Sequence, residues 1–178
     1  MTPPLSYRLR TATTTDAPAL ARVHVTSWRE TYAGLLPDDF LPRMTDEAMR
    51  ERREANWQRT IAEGQELVLV GEREGEVLAF ASAGPPRDHP GVDAELYTLY
   101  ALKGVQGLGL GRALLVEVAR QLCEQGHRSL ALWVLDVNPT RAWYARQGGR
   151  EDGVKRVPLP GGELREVRLV WDDLAGLR

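Results

Sequence analysis

The sequence predicts a mixed α/β fold, and three observations carry that prediction. Short β-rich runs alternate with segments of helical period. Two adjacent β-rich runs are separated by the turn-like pair Glu74-Gly75. A glycine-rich stretch at residues 104–111 joins one further β-rich run to a helical one. A chain of 178 residues, 43% apolar, is about one domain's worth with enough apolar surface for a core, so residues 1–178 are expected to form a single domain.

The elements follow in order. Residues 7–12 alternate as a short first strand, and Thr15-Asp16 with Pro18 just inside marks a helix start. Leu20, Val23, Val25, Trp28 and Tyr32 continue a helical period to the break at Ala33-Gly34, and Pro37 opens a new turn. Residues 45–61 form a second helical section, with Thr45-Asp46 as its cap and Gly64 beyond its end. Residues 66–71 and 76–83 read as an antiparallel hairpin. Residues 84–93, with three prolines, form a connecting loop, and residues 94–102 a third run. From Arg112 to Gln125, Leu114, Leu115, Val118 and Leu122 recur at helical spacing. Residues 129–135 suit another strand, 139–147 a short helix, and two last strands flank the turn at 158–162.

The glycine loop is the chemically informative segment. Glycines 107, 109 and 111 remove three side chains between a strand end and a helix start, so backbone N–H groups can converge on an anion, and the helix dipole adds to the attraction. Pyrophosphate suits such a loop. A triphosphate P-loop does not fit, because Gly111 is followed by Arg112-Ala113 rather than Lys-Ser/Thr. The dinucleotide fingerprint fits poorly too: its third glycine falls on Arg112, and a hairpin precedes the loop instead of a βαβ unit. A glycine-rich turn with no ligand is the plain alternative.

Residues 95–115, ELYTLYALKGVQGLGLGRALL, resemble the acetyl-CoA motif of the GNAT superfamily of N-acetyltransferases, whose core is Gln/Arg-x-x-Gly-x-Gly/Ala; Gln106, Gly109 and Gly111 fill those places. Downstream, Asn138 to Tyr144 followed by Gly148 is similar to the family's Asn-x-x-Ala-x-x-Phe/Tyr-Tyr segment. The resemblance spans nearly the whole chain. It implies a mostly antiparallel central sheet of about seven strands flanked by helices, splayed between the fourth and fifth strands, and acetyl-CoA as co-substrate. The backbone of Ala101 and Leu102 would pair with the pantetheine arm. The loop formed by Gln106, Gly107, Leu108, Gly109, Leu110, Gly111 and Arg112 would hold the pyrophosphate, and Asn138 would contact the cofactor or cap the helix that Pro139 opens. Two positions depart from the pattern: Lys103 stands where proline is common, and Gly149 replaces an apolar residue, which bears on the packing of the sixth strand.

Direct transfer of an acetyl group needs an unprotonated amine, and a lysine-like amine with a pKa of about 10.4 needs help to lose its proton. Glu95 is the candidate base. Its spacing from Gln106 matches that of the glutamate in histone-acetylating members, and strand alternation lets it share a face with Tyr97; the alternative is a solvated strand-edge residue. Tyr144, in the place of the family's tyrosine, is the candidate acid for the departing thiolate, and the alternative is packing of Trp143-Tyr144 on the sheet. The implied activity is acyl transfer from acetyl-CoA to the amine of a small molecule or peptide. A non-catalytic acyl-CoA sensor or interaction module is the rival, one that would not need Glu95 or Tyr144.

Composition narrows the remainder. A net charge of −2 from 23 basic and 25 acidic side chains argues against a nucleic-acid partner. No apolar run approaches the roughly 20 residues that span a bilayer. Residues 1–5 lack the features of a signal peptide, so a cytoplasmic protein is expected. Cys123, the single cysteine, is read as a small buried thiol on a helix rather than a nucleophile, and His24, His89 and His127 lack metal spacing, so no metal is expected. Trp28 and Tyr32 share a helical face and are read as core packing, with a binding stripe on the wall of the acceptor pocket as the alternative. Dimers are frequent in the superfamily, and residues 164–171 offer a contact for a homodimer.

Overall fold

The structure, a computed structural model, describes residues 6–177; the expectation about residues 1–5 lies outside them. A seven-stranded sheet forms its centre, in the order β1-β2-β3-β4-β5-β7-β6. The strands are β1 (Arg8–Thr11), β2 (Leu67–Arg73), β3 (Glu76–Gly84), β4 (Ala94–Ala101), β5 (Leu130–Leu135), β6 (Arg150–Leu159) and β7 (Gly162–Trp171). The helices are α1 (Ala17–Tyr32), α2 (Phe40–Thr45), α3 (Glu47–Glu63), α4 (Leu110–Glu124) and α5 (Thr140–Arg146). Every neighbouring pair of strands is antiparallel except β4 and β5, which run parallel. Among the described residues no helix is long and apolar enough to cross a membrane.

Local chemistry explains the boundaries. The β2–β3 turn places Glu74 at φ 53° and Gly75 at φ 81°, the doubly left-handed conformation whose twist matches a tight hairpin. Asp46 caps α3 by accepting from the Met49 amide at 2.7 Å, and Gly64 ends it at φ 65°. The helix α2 was not expected from sequence. Pro42 sits in its first turn, where the missing amide would have had no intrahelical partner anyway.

Two apolar layers sandwich the sheet. On one face α1 and α3 bury Leu20, Val23 and Trp57 against Val68, Val70 and Phe80. On the other, Leu114, Leu115, Val118 and Leu122 of α4 pack on Ala79, Ala81, Leu96, Leu132 and Leu169. The period read from residues 112–125 therefore does face the core. Gly149 proves to be a packing requirement: a Cβ there would stand 2.9 Å from Cζ2 of Trp171 and 3.1 Å from Leu169. The indole of Trp171, anchored by its Nε1–H donating to the Gln147 carbonyl at 3.0 Å, fills the space an apolar residue would have taken.

The strand β4 positions everything that follows. It pairs with β3 over most of its length but with β5 only at Ala94↔Leu130 and Glu95↔Ala131, beyond which the two strands part. The short seam is tied by Asp93, whose carboxylate accepts from the amides of Arg128 at 2.7 Å and Ser129 at 3.2 Å. A bulge at Tyr97, between the pairs Ser82↔Thr98 and Ala83↔Leu96, bends β4 where the gap opens.

Candidate active site

The gap between β4 and β5 is a cleft of about 660 Å³ that runs from the glycine loop to the β6–β7 hairpin. At one end, Gly107 and Gly109 adopt φ 75° and φ 85°, left-handed conformations that only glycine takes without strain, and open space lies where their Cβ atoms would be. The first helical amide with an intrahelical partner is that of Ala113, which donates to the Gly109 carbonyl at 2.9 Å. The amides before it point out of the helix end. This left-handed nest with its α4 dipole is the right cradle for a pyrophosphate, so the residues fit a coenzyme A thioester.

The expected binding residues separate on inspection. Ala101, Gln106, Gly107, Gly109, Gly111, Arg112 and Asn138 all line the cleft. Leu102, Leu108 and Leu110 do not: Leu108 is exposed, and Leu110 is buried against Gly71. The Leu102 amide donates to the Leu78 carbonyl at 3.0 Å and its carbonyl accepts from Val105 at 3.0 Å. That corrects the pairing expected of Leu102. Because backbone groups alternate along a strand, those of Leu99 and Ala101 point instead toward the gap, with the Ala101 carbonyl accepting from Nε2 of Gln106 at 3.0 Å. Asn138 does cap: its Oδ1 accepts from the Thr140 amide at 2.8 Å, while Nδ2 donates to the Tyr32 hydroxyl at 2.9 Å.

Tyr144 lines the same cleft, its ring packed edge-on against Trp143 and Trp171. Burial holds its hydroxyl pKa far above the usual phenol value, with the tyrosines at 100 and 32 adding to the effect. The hydroxyl stays protonated, which is the state an acid needs. Glu95 lies just outside, in a neighbouring pocket of about 290 Å³ that shares Leu96, Tyr97, Trp133 and Glu166 with the cleft. Its pairing with Gly84 puts it on the face of Phe80 and Ser82, the α1 side. One oxygen accepts from the Arg87 amide at 2.8 Å, and the other is 3.7 Å from Nε2 of His89. His89 is itself buried and stacked on Trp133, with Nδ1 accepting from Nε of Arg168 at 3.0 Å. Its proton therefore sits on Nε2, toward Glu95, and burial lowers its pKa.

Several cleft residues escaped the sequence. Trp28 and Tyr32, read as core, form a wall of it: their rings are 4.8 Å apart, and Trp28 Nε1–H donates to the Tyr100 hydroxyl at 3.0 Å. Glu166 and Leu164 reach the cleft from β7. Their alternation along the last strand was the one local sign. Among the described residues no three His, Cys, Asp or Glu side chains group as metal ligands.

Comparison with known proteins agrees with this geometry. The chain is 33% identical over 171 residues to the uncharacterized N-acetyltransferase YuaI of Bacillus subtilis, covering 96% of this chain and 95% of that one. A ribosomal-protein-alanine N-acetyltransferase structure from Brucella melitensis superposes with a TM-score of 0.69 at 28% identity, covering 93% of this chain and 99% of that one. The acetyltransferase yncA of Salmonella typhimurium, solved with acetyl-CoA, gives a TM-score of 0.69 at 21% identity and 94% coverage of each chain. The model of the acetyltransferase (GNAT) family matches residues 26–149, and with the splayed sheet and glycine loop described above, this chain belongs to that family.

Proposed function

We propose that the protein transfers the acetyl group of acetyl-CoA directly to a primary amine, with Glu95 as general base and Tyr144 as general acid. The observation that carries this reading is the parting of β4 from β5 beside the left-handed glycine nest, which opens a cleft with a phosphate cradle at one end and a neighbouring pocket, sharing part of its wall, that holds Glu95. Family membership supports acyl transfer from an acyl-CoA to an amine; the acetyl-CoA complex of the Salmonella relative supports the acetyl donor.

In the step itself, Glu95 takes the proton that keeps the amine from attacking. The amine nitrogen then bonds to the thioester carbonyl carbon as the carbon–sulfur bond breaks, Tyr144 gives its hydroxyl proton to the departing thiolate, and the surplus proton on the new amide nitrogen leaves to solvent, from which Tyr144 is reprotonated. Holding both reactants in one channel supplies the orientation. Thermal unfolding with acetyl-CoA at about 100 times its dissociation constant should raise stability by about 2.7 kcal/mol. Thiol release with amine acceptors should then fall about 10²-fold or more in Glu95→Gln and in Tyr144→Phe, with the acetyl-CoA shift retained. Unchanged turnover in either variant removes that residue from the reaction, and the absence of any shift with acetyl-CoA removes the donor.

A further inference from the structure

Resting on the transferase reading above, we propose that Glu166 binds the acceptor: its carboxylate, at the junction of the two cavities, receives the ammonium of a primary alkylamine. The sheet sets its position. Glu166 pairs with Leu135 of β5 and Lys155 of β6, and alternation turns it away from Val167, Leu169 and Trp171, which pack on the α4 side. It therefore faces the gap from the wall opposite β4.

Among the described residues that line the cleft, Glu166 is the only carboxylate. The cleft's remaining polar side chains are hydroxyls, amides, the indoles of Trp28, Trp133 and Trp143, and Arg112 of the phosphate loop. Glu166 also borders the pocket that holds Glu95, so a group bound to it lies between the donor channel and the base. The pocket is acidic in balance, with Asp88, Glu95 and Glu166 set against Arg87 and Lys155. Both of its aromatic faces already carry a cation: the Arg87 guanidinium lies 3.6 Å over Tyr97, and Nζ of Lys155 lies 4.4 Å over Trp133. With those faces occupied, it is the excess of three carboxylates over two cations that favours an ammonium over a carboxylate.

Of the two glutamates, Glu166 is the more exposed. Its side chain is 24% exposed and held by a single ion pair, Nζ of Lys155 at 3.2 Å. That of Glu95 is 11% exposed and engaged by the Arg87 backbone. The charge of Glu166 is also felt in the cleft: it adds to the burial that keeps the Tyr32 and Tyr100 hydroxyls protonated. Both carboxylates border one pocket, so positioning falls to Glu166 and deprotonation to Glu95.

The test compares wild type, Glu166→Gln and Glu166→Asp with n-butylamine, benzylamine and L-lysine amide as acceptors and aniline as the uncharged control. In Glu166→Gln the KM for the alkylamines should rise about 10-fold or more, with the KM for acetyl-CoA within about twofold and the melting temperature unchanged. Glu166→Asp should recover part of the loss. Calorimetric titration of the same amines, with and without coenzyme A, reads binding apart from turnover. Equal amine affinity in wild type and Glu166→Gln overturns the proposal, as does a wild type that binds coenzyme A but prefers aniline or takes no amine. A wild type that binds neither acetyl-CoA nor coenzyme A instead sinks the transferase reading, and the titration without coenzyme A then scores Glu166 by itself.

Discussion

On one side of the molecule β1 to β4 make a continuous antiparallel ladder with helices on both faces, and Phe80 at its centre is wholly buried among Trp57, Tyr100 and His24. On the other, β5, β7 and β6 form a smaller antiparallel unit joined to the first through two residue pairs and the Asp93 carboxylate. The first unit spends its backbone groups on itself. The edge between the units leaves the backbone of Leu99 and Ala101 directed at the gap, and that is where a ligand can add what the sheet omits. The comparison teaches that the cleft is a local failure of pairing, made tolerable because α4 packs across both units, on Ala79, Ala81 and Leu96 of the one and Leu132 and Leu169 of the other.

Cutting into the first unit should have the largest effect. Phe80→Ala removes a wholly buried ring and should cost about 3–5 kcal/mol, lowering the melting temperature by about 6–20 °C. The matching probe of the second unit is Gly149→Ala, where the new Cβ would press on Trp171 at 2.9 Å. A loss of about 1–3 kcal/mol is expected, relieved in part when Trp171→Phe is added. If the double variant is no better than the sum of the singles, the indole is not what excludes a side chain there.

A pH scan separates the units more gently. Burial, then the charge of Arg53, pushes the His24 pKa well below its ordinary value. The unfolded chain takes up a proton that the folded one refuses, so stability should fall as pH drops from about 7 to about 5. His24→Phe should flatten that slope in thermal melts, whereas an unchanged slope would assign it to His89, which burial also lowers. The smallest effect is expected at the seam. Asp93→Ala removes the acceptor shared by the Arg128 and Ser129 amides and should lower the melting temperature by less than Gly149→Ala, yet weaken acetyl-CoA binding by widening the gap. A variant with wild-type affinity for acetyl-CoA would show that the seam does not set the width of the cleft.

Much of this arrangement was legible in the chain. The β2–β3 turn, the Asp46 cap, the glycine loop and the period of α4 depend on residues within a few positions of one another, and each was found near its place. Tyr144 and Gln106 were named through the family resemblance, and both line the cleft. Trp28 and Tyr32 were misread because an aromatic pair on one helical face looks alike whether it meets a core or a cleft wall. Leu102 was misread because the strand's alternation had to be counted from its bond to Leu78, a residue 24 positions earlier. Glu166 was invisible, since its place in the cleft wall comes from standing opposite Leu135 in a neighbouring strand.

By itself, then, the sequence determined the order of the elements other than α2 and the conformation of the glycine loop, because turns, caps and glycine nests are governed by local sterics and hydrogen bonding. Only the tertiary structure decided where β4 and β5 part, which side chains face the gap and which carboxylate lines the cleft, because those depend on register between strands distant in sequence and on which face of each strand a helix already covers.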